Sequence, residues 1–525
     1  MKRKDFLKTA IPAVMVPFFI NGINIKAFGS TPMLEAIKRA SIKNGRVFVL
    51  IQLNGGNDGL NTIIPLDQYS NLSAARNNIL IQDTKVLALS GTTKTGMHPV
   101  MTGLRTMFDA GKVNVVQAVG YPNPNFSHFR STDIWQSASD SNQFVSSGWA
   151  GRYLEDLYTG FPNGYPNTTS PDPLAISIGY SVSTALMGPT VSTGVAISDP
   201  TSFYQLVSGT VDPAPNNPAG HELTYVRLVL QQTQQYNTTV KAAAQSVTNK
   251  ATYPTNNSLA DQLKIVANLI AGGLETPIYT VSLGGFDTHS SQVASSGGTE
   301  TGLHADLWKK VSDAIAAFQS DCEQLGIADR VAGMTYSEFG RRIKSNSSLG
   351  TDHGAAAPVI VFGKNVNPGI IGNNPNIPSS VTVNDNIPMQ YDFRQVYASI
   401  LNDWFEAGET KTDTDLLLKH FDTLAIFKQG TDVDQIMKSA NITLLQNYPN
   451  PFKTFTNIEF TSPGGKIELR LFDSQGRLLK TLINDVLPQG HYTETLDGTD
   501  LPAGNYYYQL VTAAGQVGRT LIKLN

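Results

Sequence analysis

Between residues 45 and 430 one unit recurs: a short, continuous run of β-branched and aliphatic residues that breaks abruptly into glycine, asparagine or proline. The clearest runs are Val47–Leu53, Val113–Val119, Leu174–Ile178, Pro277–Leu283, Val331–Tyr336 and Pro358–Phe362. Apolar runs without polar alternation are the pattern of strands buried on both faces. Between them lie segments of helical period, Thr224–Val247, Ser258–Leu274, Leu303–Leu325 and Phe393–Phe405. In the third, Leu303, Leu307, Val311, Ala314 and Phe318 fall on one apolar stripe. Strand and helix in alternation predict an α/β layered fold on a largely parallel sheet. Residues 160–220, rich in Pro, Asn, Ser and Thr, are predicted to be an insertion or lid outside the core.

The chain has 525 residues, 41% hydrophobic and 15% charged, with a formal net charge of −3. That length predicts more than one domain, and that charge gives no bulk attraction for nucleic acid or anionic lipid. Cys322 is the single cysteine, so no intrachain disulfide forms. The N-terminus carries Lys2, Arg3, Lys4 and Lys8, then an apolar segment from Ala10 to Ile20. A bilayer span takes ~20 residues, so this segment reads as a signal peptide over 1–29 rather than a membrane anchor. KRKDFLK resembles the twin-arginine export signal with Arg3-Lys4 in place of the arginine pair. Both the Sec and the twin-arginine routes stay open. No other stretch is long and apolar enough for a transmembrane helix.

Past a linker at 431–441 the pattern changes to short alternating strands: TNIEFTS, KIELRLFD, GRLLKTLI, HYTETLD, NYYYQLVTA and VGRTLIKL. Residues 442–525 therefore read as an all-β, Ig-like sandwich. NYPNPF, LFDSQGRLLKTL, LPAGNYYYQL and the basic last strand resemble the C-terminal sorting domain of the type IX secretion system. The resemblance implies the type IX machinery as a partner, and secretion or attachment at the cell surface.

In an open α/β sheet, ligands bind beyond the carboxyl ends of the strands. The polar groups that follow each run are therefore the candidates. Asp58 follows the first run, among Gly55, Gly56 and Gly59. Ser127 opens a predicted helix after the second, with Arg130 one turn on. Asp287 and His289 follow the fourth, and residues i and i+2 of an extended segment point the same way. Glu338 and Arg341 follow the fifth, and Asp352-His353 lies in a glycine turn shortly after. Carboxylates with imidazoles suit Zn, Mn or Fe, and carboxylates with carbonyls and water suit Ca or Mg. Asp58, Asp287, His289, Glu338, Asp352 and His353 are thus candidate ligands of a divalent metal ion of open identity. His98, His304 and His420 read as structural residues.

LNGGNDGLNTIIP, GYPNPNFSHFRSTDIW, GGFDTHSSQ, TYSEFGRRI, GTDHGAAAPVIVFG and DFRQVYASILNDWF together resemble the exported family called domain of unknown function 1501, over residues 45–430. That family is similar to the alkaline phosphatase and sulfatase superfamily. The resemblance implies an alkaline phosphatase-like α/β domain over 30–430, one metal site of Asp58, Asp352 and His353, and Asp287 with His289 toward a second. It also implies Ser127 as nucleophile, with Arg130 or Arg341 clamping ester oxygens. Hydrolysis of a phosphate or sulfate ester, of a small molecule or a glycan, is the functional expectation. The alternative is a non-catalytic surface binding protein with a structural ion.

Overall fold

The computed structural model describes residues 45–198, 236–428 and 444–524, apart from 446, 474–476 and 513–514, with two short strands at Phe19–Ile20 and Ile23–Asn24. The rest of the signal peptide assigned to 1–29, the linker at 431–441, and residues 199–235 lie outside the described residues. The chain divides into two compact units, Met1–Phe427 and Lys428–Asn525.

The first unit is built on a nine-stranded sheet. Its strands are β1 (Val47–Asn54), β2 (Val113–Gly120), β3 (Ala175–Ile178), β4 (Gly194–Ile197), β5 (Ile278–Gly284), β6 (Val331–Tyr336), β9 (Ala357–Gly363), β10 (Gly369–Ile371) and β11 (Tyr391–Asp392). A hairpin between β6 and β9 supplies β7 (Gly340–Ser345) and β8 (Thr351–Gly354). The order is β10-β2-β9-β6-β1-β5-β3-β4, with β11 also beside β2. All pairings are parallel except those β9 makes with β6 and β2. The expected largely parallel α/β sheet is therefore present.

Strand β1 shows why the runs are continuous. Val47, Val49, Ile51 and Leu53 point into one core, while Phe48 and Leu50 point into another on the opposite face. The first core is covered by α3 (Ser258–Ala271) and α4 (Leu303–Gln324), the second partly by α5 (Phe393–Ser399). Two further helices, α1 (Tyr69–Arg76) and α2 (His128–Ser137), carry site residues. In α4 the buried side is rotated from the predicted stripe: Leu303 is exposed, and His304, Trp308, Val311, Ile315 and Phe318 face inward. Residues 160–220 are not wholly outside the core, because β3 and β4 extend the sheet. The predicted run Leu174–Ile178 forms β3, whereas the four-residue β4 is too short to stand out in composition. The helix expected over Phe393–Phe405 changes after Ser399 into a π-helical turn over Ile400–Trp404.

In the C-terminal unit one antiparallel sheet of four strands, β12 (Phe455–Phe472), β13 (Leu478–Asp497), β14 (Gly504–Thr512) and β15 (Gly515–Lys523), runs in the order β13-β12-β14-β15. The predicted short strands merge in pairs into β12 and β13. Ile458 and Phe460 from one half of β12 share a core with Ile467, Leu469 and Leu471 from the other. Among the described residues no helix is long and apolar enough to cross a membrane.

Candidate metal centre

Strand β1 ends at Asn54, and the chain turns through two glycines. A Cβ on Gly55, at φ +126°, would meet the backbone nitrogen of Asp287 at 2.2 Å. A Cβ on Gly56, at φ +87°, would meet the Phe339 ring at 2.4 Å. Glycine here lets the loops after β1, β5 and β6 stack directly on one another. The Gly55 amide donates to Glu338 Oε1 at 2.8 Å, and Arg341 Nε donates to the Gly56 carbonyl at 2.8 Å.

On that floor stand three imidazoles. His128 Nδ1 lies 2.8 Å from Glu338 Oε1, His289 Nδ1 3.0 Å from Asp352 Oδ1, and His353 Nδ1 2.8 Å from the Phe126 carbonyl oxygen. Carboxylate and carbonyl oxygens accept only, so the tautomer with the proton on each Nδ1 satisfies these three contacts and leaves each Nε2 with a lone pair for a cation. The Nε2 atoms converge. His289 Nε2 and His353 Nε2 are 2.9 Å apart, and Asp287 Oδ1 is 3.2 Å from the first and 3.1 Å from the second. His128 Nε2 lies 3.5 Å from Asp287 Oδ2. The His128 and His353 rings meet edge-on at 4.5 Å, with Phe339 packed beside both.

Two facing nitrogen lone pairs beside a carboxylate repel unless a cation lies among them. Metal–nitrogen and metal–oxygen bonds of about 2.0–2.2 Å set neighbouring ligand atoms roughly 3 Å apart, which matches the triangle formed by His289, His353 and Asp287. Imidazoles anchored at one nitrogen by a carboxylate or carbonyl and open at the other are the usual supporting arrangement of metal-binding histidines. The donor set thus fits a divalent ion.

The electrostatics agree. Burial raises the Asp287 carboxyl, but the Arg341 guanidinium and His353 outweigh it and bring its pKa down to about 2. Burial likewise raises the Asp352 carboxyl, and hydrogen bonds from His289 and Asn346 hold it below the ordinary carboxylate range. Burial lowers His353 more than its contacts to Phe126 and Asp287 raise it. Asp287, His289 and Asp352 are about half exposed, whereas Glu338 is 3% and Arg341 0% exposed.

The structure therefore brings together Asp287, His289, Glu338, Asp352 and His353, and it separates the other candidates. Asp58 is fully buried: its oxygens accept from Arg76 Nη1 of α1 at 2.7 and 2.9 Å, and from Gln292 Nε2 at 2.6 Å. The expected shared ion between Asp58, Asp352 and His353 gives way to this ion pair, because both Asp58 oxygens are engaged. Gln292 links the pair to the hairpin by accepting from Thr351 Oγ1 at 2.7 Å. Arg341 is enclosed by the carbonyls of Gly55, Gly56, Phe286 and Thr351 and by Asp287. It is fully buried, out of reach of an ester, and positions Asp287 instead. Arg130 caps carbonyls of Asp140, Ser141 and Gln143 and lies on the Phe144 ring, so it is not the clamp either. Asp352-His353 lies in strand β8 rather than in a turn. Ser127 is exposed at the N-cap of α2, with no side-chain capping bond.

His128 is the residue sequence reasoning missed. Its signal was its place beside Ser127, at a helix start beyond the carboxyl end of β2. His98 and His304 are buried, stacked edge-on at 5.9 Å, and structural as expected. His420 is exposed, ion-paired to Asp413 and Asp422.

The fold and its loop cluster define an α/β protein with a candidate metal centre at the carboxyl edge of a largely parallel sheet. A family model described as "Protein of unknown function (DUF1501)" matches residues 46–414, and the chain belongs to that family. A second model, the secretion system C-terminal sorting domain, matches residues 446–524 and marks the chain for type IX export to the exterior or the cell surface. No curated protein matches in sequence. Solved structures that are similar include the PsFucS1 sulfatase from Pseudoalteromonas sp., at 8% identity over 90% of this chain and 89% of that one, with a TM-score of 0.31. A protein of the alkaline phosphatase superfamily from Vibrio parahaemolyticus matches at 10% identity over 87% and 92%, with a TM-score of 0.30. At such scores these likenesses carry no argument about function.

Proposed function

We propose that the chain is an exported metal-dependent hydrolase acting on a phosphate or sulfate ester. The observation that supports this most is the set of three histidines, each tied at Nδ1 and open at Nε2 around Asp287. A bound divalent cation supplies positive charge that stabilises negative charge developing on the attacked group. His289, His353 and Asp287 would hold it, with His128 completing or flanking the set. Glu338, Asp352 and the Phe126 carbonyl fix the tautomers, and Arg341 fixes Asp287. Ser127 is the candidate nucleophile: it adjoins His128, its hydroxyl is not used as a cap, and the helix N-terminus favours an anion.

The mature protein should contain a divalent metal and turn over aryl phosphates or aryl sulfates. Asp287→Ala should remove both properties while leaving the far-UV circular dichroism unchanged. A metal-free protein, or activity indifferent to that substitution, would refute the reading. Bound metal with no activity across the ester panel would favour the binding-protein alternative.

A further inference from the structure

A cleft of about 680 Å³ opens at the same edge of the sheet, beyond the carboxyl ends of β1, β3, β4 and β5. Its lining is polar and nearly uncharged: Asp261 is the one charged residue among the described residues around it. The chemistry is that of amides and hydroxyls. Gln136 of α2 donates to Gln52 Oε1 at 3.1 Å, and Tyr336 OH donates to the same oxygen at 3.2 Å. Gln52 and Tyr336 are thus held in place, and the Gln52 amide nitrogen has no partner among the described residues. The Asn54 carboxamide and the Ser282 hydroxyl have no partner among the described residues. At the rim Tyr180 is 98% exposed.

The cleft and the metal centre share their supports. Asn54 lines the cleft and accepts from the Phe286 amide at 3.0 Å, one residue before Asp287. Tyr336 precedes Glu338 by two residues on the β6 exit, and Gln136 lies on the helix that His128 begins.

We infer that this cleft binds a neutral, polyhydroxylated saccharide, the non-reacting part of a sulfated or phosphorylated glycan. Fixed amides with spare donors match sugar hydroxyls, and an exposed phenol ring matches the apolar face of a pyranose. Among the described residues the lining carries no basic side chain, which fits a neutral ligand better than a polyanion or a nucleotide. The inference rests on the ester-hydrolase reading only for the position of the charged group; saccharide binding itself does not require it.

The test uses the full mature chain, with cellohexaose, laminarihexaose and xylohexaose as probes in affinity electrophoresis and saturation-transfer NMR. At least one should bind. Tyr180→Ala and Asn54→Ala should each weaken it about tenfold, the loss of one good contact. Asp287→Ala should bind the saccharide as the unaltered chain does. Failure of all three probes to bind, or binding indifferent to both cleft substitutions, overturns the inference. Binding without ester hydrolysis supports the cleft and sinks the hydrolase reading alone.

Discussion

Glu338 has almost no contact with solvent, yet it ends on an imidazole at the open face of the centre. Its Oε1 joins the Gly55 amide to His128 Nδ1, a contact that holds the His128 ring in place. Replacing such a support typically weakens metal affinity 10- to 100-fold. Glu338→Gln should therefore reduce metal affinity by about that factor, read by competition with a chelator, and leave thermal stability of the chelated protein nearly unchanged. Asp58 belongs to the opposite category. Removing one partner of a buried ion pair costs about 3–5 kcal/mol, so Asp58→Asn should lower stability by that order in denaturant titration. Burial raises the Asp58 carboxyl, but the Arg76 charge, with His304, outweighs it and leaves its pKa lowered. Its contribution is present above the ordinary carboxylate range of ~4 and is lost as pH falls through the depressed folded value.

Among elements, the strand ends decide the site. A Cβ at Gly55 would collide with the loop that carries Asp287, so Gly55→Ala should lower metal content as well as stability. Deep in β1, Leu50→Ala should cost about 2–5 kcal/mol while sparing metal affinity in the folded fraction, measured by equilibrium unfolding and metal analysis. Much of this scaffold was legible in the sequence. The six apolar runs correspond to strands, because burial on both faces leaves an unbroken apolar signature. Asp287 and His289 meet, as a two-residue spacing in an extended segment predicts. The Asp58 pairing was not legible, because its partner Arg76 comes from α1, a short helix with little apolar pattern. His128 was overlooked beside Ser127, whose helix-cap position drew the reading toward a nucleophile. The β7–β8 hairpin was missed too: its strands are polar and glycine-bounded, so Asp352-His353 resembled a turn.

At the scale of the molecule, acid should act through buried histidines that are not themselves candidate ligands. Burial lowers His98 to about 3 and His304 to about 4. Both must stay neutral in the fold, whereas the unfolded chain takes up protons from about pH 6.5 downward. Stability should therefore fall as pH drops from about 6.5 toward 4. At about 1.4 kcal/mol per pKa unit, His304 alone accounts for roughly 3 kcal/mol. Paired His98→Gln and His304→Gln variants should flatten the stability–pH curve in that window, read from denaturant midpoints. The first unit has its own cores on both faces of the sheet, and the sorting unit has a separate one. Export and the candidate chemistry thus reside in different parts of the chain.

The most direct test is calorimetric titration of Zn²⁺ and Mn²⁺ into the chelator-treated mature protein, alongside Asp287→Ala and His353→Ala. Saturable binding by the unaltered chain and its loss in both variants is the expected result. No binding by the unaltered chain, or equal binding by all three proteins, would contradict a metal centre at these loops.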